Sequence, residues 1–159
     1  MKLKSVYAMA LGMAVLFTSC KKDPNEPESG TDGGSQKVTA KVDGIDFKSR
    51  TSGAVIGNDN NIGITASDAS DNTIMLYAPA REGSFNSTDN GAAATFSDKD
   101  GKIWMSTFDG TATIKITKYN SSTKKVSGTF SFTAGPIGTS NAEGTKTITN
   151  GTFTDVSVL

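Results

Sequence analysis

Apolar and polar side chains alternate with a period of two along several stretches of the chain after residue 37. In one stretch, serine and threonine separate Val126, Phe130 and Phe132, and residues 38–42 and 112–117 show the same pattern. Successive side chains of a β-strand point to opposite faces of the sheet, so the alternation predicts strands with one buried and one solvated face. Because no window after residue 37 shows the periodicity of an amphipathic helix, the sequence predicts an all-β fold.

Composition and turn residues favour the same fold class. Residues 37–159 contain 16 isoleucines and valines but only two leucines, and β-branched side chains are typical of strands. Clusters of Gly, Asn and Asp recur about every eight to twelve residues, so we predict an antiparallel β-sandwich or flattened barrel of about 8–11 short strands. Strands are expected near residues 37–42, 45–48, 52–56, 61–67, 73–78, 93–97, 102–107, 111–119, 125–134, 144–149 and 152–157.

The dipeptide Asn150-Gly151 lies between the last two predicted strands and has two interpretations. It is favoured in two-residue hairpin turns of type I′. It could equally form a β-bulge, which would let Ile148 and Phe153 face one core despite their odd spacing. The sequence leaves both open.

The N-terminal residues carry a targeting signal. Lys2 and Lys4 precede an apolar stretch of twelve residues, 6–17, which is shorter than the ~20 residues needed to span a bilayer. Thr18 and Ser19 then lead into Cys20, and this exit resembles the lipobox of a bacterial lipoprotein signal. Residues 1–19 are therefore predicted to be a lipoprotein signal peptide and Cys20 an acylated anchor. The alternative is a free thiol after an ordinary signal peptide or membrane anchor.

Residues 20–36 follow as the lipidated cysteine and a polar linker rich in Gly, Pro and acidic residues. Such a composition cannot bury a core and predicts a disordered tether. Residues 37–159 are expected to form a single all-β domain. The acyl chains on Cys20 would hold it on a membrane, and we expect the cell envelope, at the outer membrane, on its periplasmic face or at the cell surface.

Composition excludes several classes of function. The chain has 16 basic and 16 acidic residues, no histidine and one cysteine. Catalytic triads that use histidine, histidine-bearing zinc sites and multi-cysteine metal clusters are excluded. Balanced charge argues against a nucleic-acid partner, which needs a basic face. We expect neither a cofactor nor an enzymatic activity.

Four stretches resemble one protein family. They are residues 42–47, 110–119, 125–134 and 146–156. The family comprises small Bacteroidota lipoproteins that carry a β-rich domain of unknown function. The resemblance implies an envelope lipoprotein with an antiparallel β fold, and it implies no reaction.

Aromatic side chains give the one hint of a ligand site. Trp104 is either a core residue or an exposed platform on which a sugar ring stacks, and both interpretations stay open because a strand can be covered on both sides. Tyr77 and Tyr119 could join Trp104 on an outer surface.

Acidic residues give weaker candidates. Asp98 and Asp100 resemble the start of a calcium loop, but no glutamate follows at the position that supplies the bidentate ligand, so a hairpin turn is favoured. Glu82, Asp109 and Glu143 could in principle form a carboxylate pair for hydrolysis, although nothing in the sequence brings two of them together.

Lys115, Lys118, Lys124 and Lys125 surround one predicted hairpin. They could contact anionic lipid or polysaccharide, or protect exposed strands from edge-to-edge aggregation. The expected function is a non-catalytic module that binds a glycan, a protein or an envelope component. The alternatives are a lipocalin-like carrier of a small apolar ligand and a carboxylate-based hydrolase.

Overall fold

The computed structural model describes residues 36–89 and 91–159. Within these ranges the chain forms ten β-strands and no helix, which confirms the predicted all-β class. The predicted signal peptide, Cys20 and the linker up to residue 35 lie outside the described residues. The strands are β1 (Val38–Val42), β2 (Ile45–Ile56), β3 (Asn61–Asp68), β4 (Thr73–Pro79), β5 (Gly83–Asn86), β6 (Ala93–Ser97), β7 (Ile103–Met105), β8 (Thr111–Asn120), β9 (Lys125–Pro136) and β10 (Lys146–Ser157).

Eight of these strands close a barrel. They follow the order β1-β2-β3-β4-β6-β7-β9-β10, each pairs antiparallel with its neighbour, and β10 pairs back to β1. The remaining two strands extend from the barrel, since β8 pairs with β9 and β5 pairs with β8. The prediction of an antiparallel sandwich or flattened barrel is confirmed.

Two strands are longer than predicted. β2 and β10 each combine two predicted strands into one, and β5 was not predicted. In β10 the register shifts between Ile148 and Gly151, and Asn150 has a φ of 52°. Asn150-Gly151 therefore forms a bulge and not a hairpin turn, and both Ile148 and Phe153 are buried in the core.

Aromatic rings fill much of the interior. The ring of Phe130 lies 6.4 Å from those of Phe132 and Phe153, and all three side chains are buried. Glycine makes room for them: a Cβ added to Gly128 would lie 2.5 Å from Cζ of Phe153 and 2.1 Å from the carbonyl oxygen of Lys115 on β8. Replacing that hydrogen with a methyl group would force both the ring and the backbone of the paired strand to move.

The order of the strands determines which turns share an end of the barrel. Consecutive antiparallel strands reverse direction, so the β1–β2, β3–β4 and β6–β7 turns lie at one end. The β2–β3 turn and the start of β1 lie at the other. The described residues contain no helix with the length and hydropathy that a membrane crossing requires.

A candidate ligand-binding cup at one end of the barrel

The three turns that share an end surround a cavity of about 310 Å³, which we call the cup. The buried rings of Phe47 and Phe96 contribute to its floor. Its polar lining comprises Asp43, Asp46, Asp68, Ser70, Asn72, Asp98 and Lys146. Lys146 is the one cation among four carboxylates in this lining, and Lys41, outside the lining, pairs with Asp46, so the charges at the cup have a negative excess.

Lys146 connects the cup to the core behind it. Its Nζ donates to Oδ2 of Asp43 at 2.8 Å and lies 5.1 Å from the centre of the Trp104 ring. The backbone amide of Thr147 donates to the other oxygen of Asp43 at 2.9 Å. Partial burial raises the pKa of Asp43, but the hydrogen bonds from Lys146 and Thr147 outweigh it, and the pKa lies below its ordinary 3.8.

Asp46 stands on the first residues of β2, beside the β1–β2 turn. Lys41 Nζ donates to its Oδ1 at 2.7 Å, and this hydrogen bond lowers the pKa of the exposed carboxyl. Asp43 and Asp46 are therefore both ionised at neutral pH. An ionised carboxylate accepts hydrogen bonds and cannot donate a proton.

The opposite side of the rim is held by side chains that bond to turn backbones. Asp68 Oδ1 accepts from the amides of Ser70 and Asn72 at 2.8 and 2.9 Å. Asn72 Oδ1 in turn accepts from the amide of Lys99 at 3.3 Å, which links the β3–β4 and β6–β7 turns. These contacts fix the rim before any ligand arrives.

Asp98 and Asp100 behave as turn residues. Oδ1 of Asp98 accepts from the amides of Asp100 and Lys102, both at 2.9 Å, as in the hairpin-turn interpretation. Asp100 pairs with Lys99 at 2.7 Å, and this hydrogen bond lowers the pKa of its carboxyl. Among the described residues, no group of three or more carboxylate, cysteine or histidine side chains could hold a metal ion.

The structure places Trp104 in the core. Its side chain is 3% exposed, its ring lies 5.8 Å from that of Phe96, and its Nε1 donates to the carbonyl of Gly144 at 3.1 Å. Of its two interpretations, the core residue describes this geometry, and an exposed sugar platform does not. Its ring lies beneath the ammonium group of Lys146 and does not itself line the cup.

Tyr77 and Tyr119 do not join Trp104. Tyr77 lies on the outer face of β4, where its hydroxyl donates to Asp59, whereas Tyr119 lies partly buried on β8. β4 and β8 are not neighbours in the sheet. The three aromatic side chains therefore belong to three separate surroundings.

The remaining sequence candidates also lie apart from the cup. Glu82, Asp109 and Glu143 occupy three different connections between strands. Glu82 accepts from the amide of Tyr119 at 3.2 Å. Of the four lysines, Lys115 and Lys118 lie on β8, Lys124 lies in the β8–β9 turn, and Lys125 Nζ donates to Ser157 Oγ at 3.0 Å.

Sequence reasoning missed Asp43, Asp46, Asp68 and Lys146 as members of one site. One signal was present, because the three turns at this end each begin with or follow an aspartate: Asp43, Asp68 and Asp98. Alternate turns of an up-and-down sheet share an end, so the three aspartates converge. Lys146 follows a nine-residue connection, 137–145, and its position gave no such signal.

Comparison with known proteins gives one match. The model of a family described as a domain of unknown function (DUF6252) matches residues 35–157, and this confirms the predicted relationship to such a domain. Neither the curated proteins nor the solved structures contain a significant match.

Proposed function

The chain belongs to the DUF6252 family, a domain of unknown function matched over residues 35–157, and we propose that it is a lipid-anchored, non-catalytic binding module of the cell envelope. Its ligand is a hydroxyl-rich, uncharged or cationic molecule, such as a sugar unit of an envelope glycan, and its binding site is the cup. The observation that carries this proposal is a rigid ring of hydrogen-bond acceptors above an apolar floor.

Size and chemistry of the cup agree with such a ligand. Small-molecule sites begin at about 300 Å³ and combine apolar walls with a few polar groups, and the cup has a volume of about 310 Å³. Carboxylates accept from hydroxyl groups, and a sugar ring offers several hydroxyls around an apolar face. The turn hydrogen bonds of Asp68 and Asp98 hold the acceptors in place without a ligand.

The sign of the charge restricts the ligand further. Four carboxylates line the cup, and two of them are paired with ammonium groups, Asp43 with Lys146 and Asp46 with Lys41. The excess charge is negative, so an anionic ligand would be disfavoured. This disfavours acidic glycans and free fatty acids.

A lipocalin-like carrier is the second candidate, and the closed eight-stranded barrel favours it. Against it, Phe130, Phe132 and Phe153 pack on one another inside the barrel. An apolar ligand would therefore have to bind at the mouth, where the polar rim suits it poorly.

The pKa values support a non-catalytic role. Hydrolysis by two carboxyls needs one of them protonated at neutral pH, which requires a raised pKa. The pKa values of Asp43 and Asp46 are instead lowered. Both groups are suited to accepting hydrogen bonds from a ligand that leaves unchanged.

The proposed anchor agrees with the position of the cup. β1 runs from Val38 towards the turn at Asp43, so the residues that precede β1 join the barrel at the end opposite the cup. With Cys20 acylated at the outer membrane, the cup can point away from the lipid and towards soluble or surface ligands.

Binding is tested on the full chain in detergent by thermal shift, with neutral oligosaccharides, acidic oligosaccharides, alkylamines, fatty acids and calcium with EDTA. A ligand at 100 times its dissociation constant adds ~2.7 kcal/mol of stability. We expect neutral sugars or amines to raise the melting temperature and anions to have no effect.

Two substitutions test whether the cup is the binding site. Asp46→Asn should weaken the shift in melting temperature, whereas Asp109→Asn, outside the lining, should leave it unchanged. Stabilisation by fatty acids that Asp46→Asn does not alter would instead favour the carrier.

The anchor is tested separately by labelling cells with an alkyne fatty acid. We expect the wild-type chain to carry the label and to sediment with membranes, and Cys20→Ala to lose both properties. An unlabelled wild-type chain would refute acylation without affecting the binding result.

A further inference from the structure

One outer wall of the barrel carries no charged side chain. It is formed by the second half of β2 together with β3, β4, β6 and β7, and we call it the uncharged wall. Its outward residues combine an apolar or small central set with hydroxyl and amide side chains towards the two ends: Gly53, Val55, Gly63, Thr65, Met75, Tyr77, Ala93, Thr95, Ile103 and Met105, and also Thr51, Asn61, Ser67, Thr73, Pro79 and Ser97. An exposed face without charges that carries large apolar side chains commonly marks an interaction surface.

The uncharged wall has both projections and hollows. Val55, Met75 and Tyr77 are 55%, 52% and 40% exposed. Between them lies Gly63, where an added Cβ would meet only the carbonyl oxygen of Val55, at 3.9 Å. A side chain from outside the barrel can therefore enter the space above Gly63.

We propose that the uncharged wall binds a second copy of this chain. One row across the wall reads Val55, Gly63, Tyr77, Ala93, which alternates large and small side chains over four paired strands. A two-fold axis that runs along the strands between β3 and β4 reverses this row. It brings Tyr77 of each copy over Gly63 of the other, and Val55 over Ala93. The wall is thus complementary to itself, as a two-fold interface requires.

The direction of the axis agrees with the proposed function, on which this step and the strengthening of the dimer by a shared membrane rest. A two-fold axis parallel to the strands keeps the start of β1 at the same end in both copies. Two chains anchored in one membrane can therefore associate in this way, with both cups directed away from the lipid. An axis across the strands would put the two starts at opposite ends.

Charge also favours a second copy, whereas area limits the strength of the contact. The strands of the wall bring no like charges together, and Asp59, which accepts from Tyr77, lies in the β2–β3 turn at the border of the wall. Copies meeting through the β8 side would oppose Lys115 and Lys118. Five strands and three rows cover roughly 20 by 20 Å, or about 400 Å². A standard interface buries about 800 Å² on each partner, so the dimer is weak in solution. Anchoring in one membrane raises the effective concentration and compensates for this weakness.

Sedimentation equilibrium of the full chain in density-matched detergent tests association. We expect the average mass of the protein to rise with concentration towards that of a dimer. Gly63→Lys fills the hollow and opposes like charges, and should raise the dissociation constant roughly tenfold or more. Ser131→Lys, on an exposed strand position of the opposite side, is the matched control and should leave it unchanged. A wild-type chain that stays monomeric, or equal effects of the two variants, would overturn the proposal.

Cross-linking tests the register of the pair. Val55→Cys and Ala93→Cys copies are mixed in membranes and treated with a short thiol-specific cross-linker, since facing sheets lie ~10 Å apart. The two-fold axis predicts rapid cross-linking of the mixture and slow cross-linking of either variant alone, because identical residues stand about 14 Å apart laterally, three strand spacings. Wild-type chain controls for Cys20. Equal cross-linking rates in all three samples would refute this register. If vesicles instead protect the introduced cysteines from the thiol reagent and no dimer forms, lipid is the occupant of the wall.

Discussion

Two outer walls of the barrel share one inward pattern and differ in what they present to solvent. The uncharged wall exposes Val55, Met75 and Tyr77. The other, which we call the hydroxyl wall, is formed by β8, β9, β10 and β1. Its outward residues include Thr39, Lys41, Thr111, Thr113, Lys115, Thr129, Ser131, Thr133, Thr147, Thr149 and Thr152.

The comparison shows that the inward residues specify the fold, whereas the outward residues are free to serve function. Behind both walls, alternate residues are buried, for example Ile64 and Leu76 on one side and Ile114 and Phe130 on the other. Hydroxyls of the second wall pair with each other across strands, as in Thr39 with Thr152 at 2.9 Å, and remain solvated. The uncharged wall has one such pair, Ser67 with Thr73 at 2.8 Å, but it also exposes the large apolar side chains of Val55 and Met75, so it gains more from being covered.

The largest expected effect contrasts the two sides of one strand in the hydroxyl wall. Phe130→Ala should lower the free energy of unfolding by ~3–5 kcal/mol, because it leaves a cavity between Phe132 and Phe153. Thr129→Ala, one residue away and exposed, should change it by less than about 0.5 kcal/mol. Chemical denaturation measures both. An unchanged midpoint for Phe130→Ala would show that the inward face has been misassigned.

A smaller effect separates the glycines of the two walls. An added Cβ on Gly128 would lie 2.1 Å from the carbonyl oxygen of Lys115 on the paired strand and 2.5 Å from Cζ of Phe153, whereas on Gly63 it would meet only an ordinary contact. Gly128→Ala should therefore cost at least about 1–3 kcal/mol of unfolding free energy, because both the paired backbone and the ring must move. Gly63→Ala should be close to neutral, since alanine is less flexible in the unfolded chain. Similar losses in both variants would contradict the contrast between a packed and an open glycine.

The inward pattern was readable from the sequence, and the outward pairing was not. Alternation around Phe130 and Phe132 gave β9, and turn residues gave most strand boundaries. The four residues of β5 fell below any recognisable pattern, although Phe85 is buried within them. The choice between a bulge and a hairpin turn at Asn150-Gly151 could not be made from the sequence, because the dipeptide fits both until its partner strands are known.

The site was harder to predict than the fold, because it depends on residues far apart in the chain. Asp43 and Lys146 meet across 103 positions. Trp104 was a candidate because it is an aromatic residue in a predicted strand, but its burial depends on which strands cover it. Strand order, which places three aspartate-bearing turns together, comes from the whole set of pairings and not from any one motif.

The rim of the cup contributes a pH-dependent part of the free energy of unfolding through Asp43. The pKa of Asp43 is lowered, so its ionised form stabilises the fold above the ordinary pKa of 3.8, and this contribution is lost as the pH falls through the folded value. Asp43→Asn keeps a residue that tolerates its φ of 50° but removes the charge facing Lys146. We expect a loss of about 0.5–1 kcal/mol at pH 7, and less at pH 3, in denaturation experiments. A loss that is equal at both pH values would exclude the ion pair as its cause.

The smallest effect concerns the charge that borders the uncharged wall. The hydroxyl of Tyr77 donates to the exposed carboxylate of Asp59, and this hydrogen bond, with those from Asn61, lowers the pKa of Asp59 to about 2. Tyr77→Phe keeps the ring on the wall and removes the donor. The pKa of Asp59 should then rise towards 3.8, as an NMR titration of its carboxyl carbon would measure, while Asn61 still holds it somewhat below that value. Because Phe keeps the apolar surface, dimerisation should survive this substitution. A pKa that stays at about 2 would show that Asn61 alone sets it, and that the uncharged wall has no link to the neighbouring charge.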